Sequence, residues 1–287
     1  MNFRGLLKKP VNQALGWLGL KLISAQVEKT EYDRLQRLPC GHFEHPVFPI
    51  LAPFKQCSPE KIFKVINAQR ELWRMPRKGL RNGFTIENDY FNSPDAETLT
   101  AVVELYKPKN ILEIGSGNST RCFRAALREL KLQAKIVSID PNPRLEIHTF
   151  ADEVIRLPLE GAKVEGRSEK LEAGDILFID SSHEIRTGND VVELLLNILP
   201  RLKPGVLIHI HDIFLPFEYP IEWVIKNRWP WNEQYLVQAL LQGSREYEVL
   251  WAGYYHQKTM RNFVRHFPLW QGKNASSLWL KKNETEK

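Results

Sequence analysis

Short apolar runs that end in polar side chains recur along the later two thirds of the chain, each followed by residues at helical spacing. Ile111 to Ile114 has the β-branched, apolar character of a strand buried on both faces of a parallel sheet, with Glu113 as the acid near its carboxyl end. Phe123, Ala126, Leu127 and Leu130 follow at helical spacing, with Arg124, Arg128 and Lys131 mostly outside, and Ser119 or Thr120 is placed to cap that helix. A second strand, Ile136-Val137-Ser138-Ile139, ends in Asp140. Two more buried strands run from Asp175 to Asp180 and from Val206 to Asp212. Between them a helix from about Asn189 to Leu202 carries apolar Val191, Leu194, Leu195, Ile198 and Leu199, and Pro200 with Pro204-Gly205 is expected to close it. Strands alternating with helices predict an α/β chain with a doubly wound parallel sheet.

The turn between the first strand and its helix carries Gly115 and Gly117, which supply the tight turn and close backbone approach that a nucleotide-type cofactor needs. Asp140 lies 23 residues after Gly117 and is expected at the same edge of the sheet, where an acid can accept hydrogen bonds from both ribose hydroxyls. The run Asp140-Pro141-Asn142-Pro143 is also a good turn in its own right. A dinucleotide pattern, Gly-x-Gly-x-x-Gly, would require glycine at Thr120, where a branched residue hinders packing of the helix on the strand.

On these residues the chain resembles the class I S-adenosylmethionine-dependent methyltransferases, whose first motif is an acid followed by alternating glycines and whose second strand ends in an acid. It departs from them at Ser119, where the family often has a third glycine. The resemblance runs over roughly residues 95 to 282. It implies a Rossmann-like doubly wound sheet of about seven strands, mostly parallel, closed in an antiparallel sense by runs at Tyr247 to Tyr254 and Ser277 to Leu280. Phe178 to His183 and His209 to Phe214 look like the bacterial subgroup that includes O-methyltransferases of sugars and macrolides. The cofactor residues implied are Glu113, Gly115, Ser116, Gly117, Asn118, Asp140 and Asp180, and the acceptor is an oxygen of a small molecule or saccharide.

A methyl sulfonium is already an activated electrophile, so the protein must align a nucleophile, exclude water and remove the acceptor's proton. In an open α/β sheet this happens in the crevice at the carboxyl ends of the strands, where Asp180, His183, His211 and Asp212 belong. With an ordinary pKa of about 6.5, His183 is the first choice as a base that is neutral near pH 7, and His211 the second. Some O-methyltransferases resembling this chain hold a divalent ion with acids from the ends of the fourth and fifth strands. Asp180 and Asp212 occupy comparable positions, and His211 replaces an acid, giving an expected ligand set of Asp180, His211 and Asp212. The cluster Cys40-Gly41-His42-Phe43-Glu44-His45 lacks the repeated spacing of a zinc site and is read as a loop. Two rival readings are a metal-dependent hydroxylase on the same scaffold and a non-catalytic partner-binding protein.

An insertion at about residues 213 to 235, rich in aromatic and polar groups such as Phe214, Trp223, Trp229, Trp231 and Glu233, is expected to form a lid or acceptor pocket. The domain is taken as residues 93–287, with residues 1–92 as a helical and extended accessory region. Val11, Leu15, Leu18 and Leu22 form an apolar stripe in the basic N-terminus, read as a helix docking on the domain or on a second subunit. With 40 basic and 34 acidic residues interspersed, the net charge of +6 does not indicate a nucleic-acid enzyme. No run is long and apolar enough to span a bilayer. Three cysteines without paired spacing suggest reduced thiols and a cytoplasmic setting, with a homo-oligomer left open.

Overall fold

The structure is a computed structural model that describes residues 11–13, 15–17, 25–72, 83–162 and 164–284. Leu18 and Leu22 of the N-terminal stripe lie outside those residues. Helices α1 (Ala25–Gln36), α2 (Ala52–Gln56), α3 (Glu60–Ala68) and α4 (Asp95–Tyr106) precede the first strand. Strands β1 (Asn110–Ile114), β2 (Lys135–Ile139), β3 (Glu153–Ile155), β4 (Ile176–Ile179), β5 (Leu207–Ile210), β6 (Tyr247–Ala252) and β7 (Leu278–Lys282) form one sheet in the order β3-β2-β1-β4-β5-β7-β6. The β1–β2, β1–β4, β2–β3 and β4–β5 pairs are parallel, and β7 runs antiparallel to both β5 and β6. A Rossmann-like, doubly wound sheet with an antiparallel closing strand is therefore what forms.

Strict alternation along β1 and β4 explains why both faces of these strands carry apolar residues, with Glu113 the buried exception. Leu112, Ile114, Leu177 and Ile179 join one core with Val191, Leu194, Leu195 and Ile198. Ile111, Ile176 and Phe178 face the other core with Leu99, Val102 and Val103 of α4 and Phe123, Ala126 and Leu127 of α5 (Asn118–Glu129). With both faces covered by helices, neither face needs a polar stripe. Phe54 belongs to the first core and Ile62, Phe63, Ile66, Phe84 and Phe91 to the second, so these residues ahead of α4 help to build the sheet's cover.

Two local details differ from the sequence expectation. The residues of strand β3 are not located by sequence, because three half-buried residues at the sheet edge form too short a run to show a period. Pro200 does not close its helix but lies inside the last turn, Leu199–Arg201, of the helix α6 over residues 190–201. The π turn Leu194–Ile198 just before it changes the hydrogen-bond register, which accommodates a residue with no N–H to donate. Beyond β5 come α7 (Glu233–Leu241) and α8 (Gly253–Thr259). No helix among the described residues is long and apolar enough to cross a membrane.

The amino ends of the central strands are pinned by one buried side chain. Asp175 Oδ1 accepts from Lys109 N at 2.9 Å and Asn110 N at 2.8 Å, while Oδ2 accepts from Asn110 Nδ2 and Glu172 N, both at 3.0 Å. Asp175→Ala would leave these donors unpaired in a nearly dry position. It is expected to cost about 3 kcal/mol in urea unfolding while leaving cofactor binding at the far edge intact.

Candidate active site

The parallel ladders carry four chain segments to the same carboxyl edge of the sheet. Ile114 is paired with both Ile139 and Ile179, and Ile179 with Ile210, so Gly115, Asp140, Asp180 and His211 emerge in a row. The ladder continues one step further through Gly115 N to Ile139 O, Asp180 N to Ile114 O and His211 N to Ile179 O, each at 2.9 Å. A cavity of about 540 Å3 opens there. Gly115, Ser116, Asp140 and Asn142 lie on one side and Asp180, His183, His211, Asp212 and Trp231 on the other.

The glycine turn is shaped from beneath. Glu113 is fully buried and accepts from Ser119 Oγ at 2.7 Å, Thr120 Oγ1 at 2.6 Å and Ser138 Oγ at 2.6 Å. Burial pushes its carboxyl up to about 7, against the pull of those three hydroxyls. Both oxygens are occupied inside the protein, so Glu113 shapes the loop, in place of the direct cofactor contact expected for it. Thr120 Oγ1 also accepts from Gly117 N at 3.0 Å, which caps α5. At Gly115, φ is +81° and a Cβ would lie 1.8 Å from Asp180 O, so no side chain is tolerated.

Asp140 sits at the mouth of this turn. Its Oδ2 accepts from Ser116 N and Ser116 Oγ at 2.9 Å, and its Oδ1 accepts from Asn142 N at 2.8 Å. The carboxylate is thus held in place by the loop and by its own turn. Asn118 points elsewhere, donating from Nδ2 to Asn88 Oδ1 at 3.1 Å, and neither it nor Gly117 lines the cavity. Asn88 Oδ1 also accepts from Tyr90 N and Phe91 N, so Asn118 ties the cofactor turn to the segment that places Tyr90 at the rim. Arg144, also at the rim, lies over the Tyr90 ring, 4.7 Å from its centre. Tyr90 belongs to the segment Phe84 to Asn92, read from sequence as crossing the cofactor edge, whereas Arg144 and the Pro158-Leu159-Glu160 segment carry no motif and sequence inspection missed them.

At the other side, His183 Nε2 lies 3.2 Å from Asp180 Oδ1 and 3.8 Å from Asp212 Oδ2, while Nδ1 lies 3.0 Å from Glu233 Oε2. Among the described residues, Asp180, His183 and Asp212 are the group whose ligand atoms converge, all within 4.8 Å of one another. His183 thus takes the place in that group that His211 was expected to fill. His211 is close by, with Nε2 3.8 Å from Asp212 Oδ1 and 3.5 Å from Ser276 Oγ, and its ring faces Phe91 and His209. His183 and Asp212 have φ of +60° and +56° without being glycine, a conformation that persists where surrounding contacts overdetermine it.

The charges in this cluster are coupled. Burial opposes the imidazolium of His183, but hydrogen bonds to Asp180 and Glu233 and the charge of Asp212 outweigh it and raise its pKa well above 6.5. Burial likewise works against the Asp180 carboxylate, and the His211 charge with the His183 hydrogen bond overcomes it, holding Asp180 well below the usual range. The expectation of a histidine neutral near pH 7 is therefore corrected, because three carboxylates surround the ring. His211 is raised in the same sense, against burial, by Asp212, Asp180 and Asp95.

The sign of the resulting pH dependence follows directly. A histidine raised in the folded state stabilises fully below its unfolded value of about 6.5, and that contribution is lost as pH rises through the folded value. His183→Gln is expected to cost about 2 kcal/mol in urea unfolding at pH 6, with a cost that shrinks steadily on the alkaline side.

Comparison with known proteins places this geometry. Residues 112–213 match the family model described as "Methyltransferase domain", a span that includes the glycine turn, Asp140, Asp180, His183, His211 and Asp212. No curated protein matches the chain in sequence. Among solved structures, it is similar to a methyltransferase of Podospora anserina bound to SAH, with 17% identity over 92% of this chain and 100% of that one and a TM-score of 0.39. It is also similar to the O-methyltransferase of Bacillus cereus in complex with SAH, with 16% identity over 83% and 93% of the two chains and a TM-score of 0.40. The stretch that carries the glycine turn and the polar ends of the central strands thus matches a methyltransferase domain.

Proposed function

We propose that the chain transfers the methyl group of S-adenosylmethionine to a hydroxyl oxygen of a small molecule, with a saccharide-like polyol as the favoured class. The observation that carries this is a single cavity with Asp140 and the Gly115–Ser116 turn at one end and the Asp180, His183 and Asp212 cluster at the other. A ribose fits the first end, where Asp140 is held ready to accept from its hydroxyls. The Gly115 turn, whose backbone lies against the Asp180 carbonyl, borders the space assigned to the methionine end. An acceptor hydroxyl then lies beside the second end, between the cofactor and Trp231.

In the transfer, the bond from acceptor oxygen to methyl carbon forms as the carbon–sulfur bond breaks, and the hydroxyl proton passes to the cluster. His183 is the assigned acceptor of that proton, with Asp180 and Asp212 stabilising the imidazolium that results. Its raised pKa makes it a strong base once deprotonated. A sulfonium placed beside the ring opposes its charge and so favours the neutral, proton-accepting form. The rival readings lack support of this kind, since the matched family is one of methyltransferases.

The donor set also fits a divalent cation: two carboxylates and one imidazole nitrogen converge at one edge of the cavity. Asp180, His183 and Asp212 would hold it, and in place of proton capture by His183 the bound cation would supply Lewis acidity that lowers the pKa of an acceptor hydroxyl. Because His183 must give up its proton to bind a metal, Mn2+ affinity measured by titration is expected to rise from pH 6 to pH 8 in the wild type and to lose that rise in His183→Gln. A flat profile would remove the metal from the scheme.

The cofactor end is tested by calorimetry. Asp140→Ala is expected to weaken S-adenosylmethionine binding by roughly 10- to 100-fold, while NAD shows no selective binding to either protein. Gly115→Ala is expected to abolish cofactor binding, because the added methyl must displace either the turn or the Asp180 carbonyl.

A further inference from the structure

Three of the chain's eight tryptophans fall within residues 223–231, in the insertion that follows β5, and the fold brings their rings together. Trp231 lines the cavity and packs on the His183 imidazole with ring centres 4.2 Å apart. Trp229 stacks on Trp231 at 4.6 Å with an interplanar angle of 27°, and Trp223 meets the two rings at 5.0 and 5.1 Å. Trp223 is half-buried against Phe214, 5.2 Å away, and so serves the small aromatic core of the insertion. Trp229 differs, because 40% of it stays exposed although it belongs to the same cluster. A ring placed only for packing would turn that surface inward. The chain around it holds it outward instead: Arg228 has φ of +55°, Trp229 N donates to Trp223 O at 3.0 Å, and the Arg228 guanidinium lies over the Tyr32 ring of α1, 5.6 Å from its centre. The outer indole is thus preorganised at the end of a series of rings that begins beside His183.

We propose that Trp229 forms a second saccharide subsite outside the cavity, which takes the ring next to the one that is methylated, so that the acceptor is a saccharide of at least two rings. Two kinds of surface argue for this class. Asp180, Asp190 and Asp212, with Ser181 and Ser182, line the cavity and suit a ligand rich in hydroxyl donors. The Trp229 indole offers a flat apolar surface one ring further out. A pyranose carries hydroxyls round its rim and has an apolar C–H face, so a saccharide meets both demands. An aryl acceptor would stack on the indole but offer few donors to the carboxylates. The subsite rests on the reading of the cavity as the place where a hydroxyl is methylated.

The test uses the full chain loaded with S-adenosylhomocysteine and a glycan array that carries sugars of increasing length. Preferential binding of sugars of two or more rings is expected. Titration of the best-bound sugar against its single terminal ring then gives a ratio of affinities, which should fall by roughly tenfold in Trp229→Ala and be kept in Trp229→Tyr. Calorimetric binding of S-adenosylmethionine checks that each variant is folded, since Asp140 and the glycine turn are untouched. An array without preference for the longer sugars, or a ratio unmoved by Trp229→Ala, overturns the proposal. Transfer of tritiated methyl to the bound sugar separates the subsite from the reaction. A sugar held through Trp229 but never methylated keeps the subsite and removes the methyl-transfer assignment, whereas a single ring methylated with no gain in affinity from a second removes the subsite alone.

Discussion

The close approach of the Gly115 backbone to the carbonyl of Asp180 is the contact on which the site depends. Parallel pairing of β1 with β4 brings the ends of the two strands together, and at that point the glycine turn presses directly on the residue that opens the catalytic cluster. Any Cβ at position 115 would push the two ends of the cavity apart. The turn can bend so sharply because Glu113, one residue inside the strand, gathers hydroxyls from β2 and α5 beneath it. A buried carboxylate with three donors is a costly group to place in a core, and its cost is offset by fixing the shape of the turn.

From that contact the division of labour follows. At the side of the sheet edge next to β2, Asp140 is held by backbone and hydroxyl donors in a fixed orientation, as the proposed ribose contact requires. The side next to β5 is built for charge, with carboxylates and imidazoles packed closely enough to shift one another's ionisation in opposite directions. Such mutual shifts are the usual sign of groups arranged for proton or metal chemistry. The positive φ at both His183 and Asp212 belongs to the same picture, since the surrounding contacts hold two bulky polar residues in a conformation they would not choose alone.

The fold was largely legible in the chain because it depends on short-range pattern. Ile111 to Ile114, Ile136 to Ile139 and Ile176 to Ile179 are apolar on both faces, which only a sheet covered by helices on both sides can satisfy. Gly115, Gly117 and Asp140 marked the carboxyl edge of the sheet because turn geometry and strand ends leave local marks. Strand β3 and the π turn before Pro200 left none, one being too short and the other a change of hydrogen-bond register that no residue type encodes.

Sequence alone thus determined the class of the sheet, its direction and the edge at which the cavity opens. Tertiary structure decided which polar groups face one another. Glu113 turned inward to meet three hydroxyls from β2 and α5, and His183 displaced His211 in the converging group because the loop after β4 turns back over the cavity. Glu233 came to hold His183 from 50 residues away, through the docking of α7 that no periodicity predicts. Ionisation followed packing, since the charge of an imidazole is set by the carboxylates within a few ångströms of it, and their distances exist only in the folded chain.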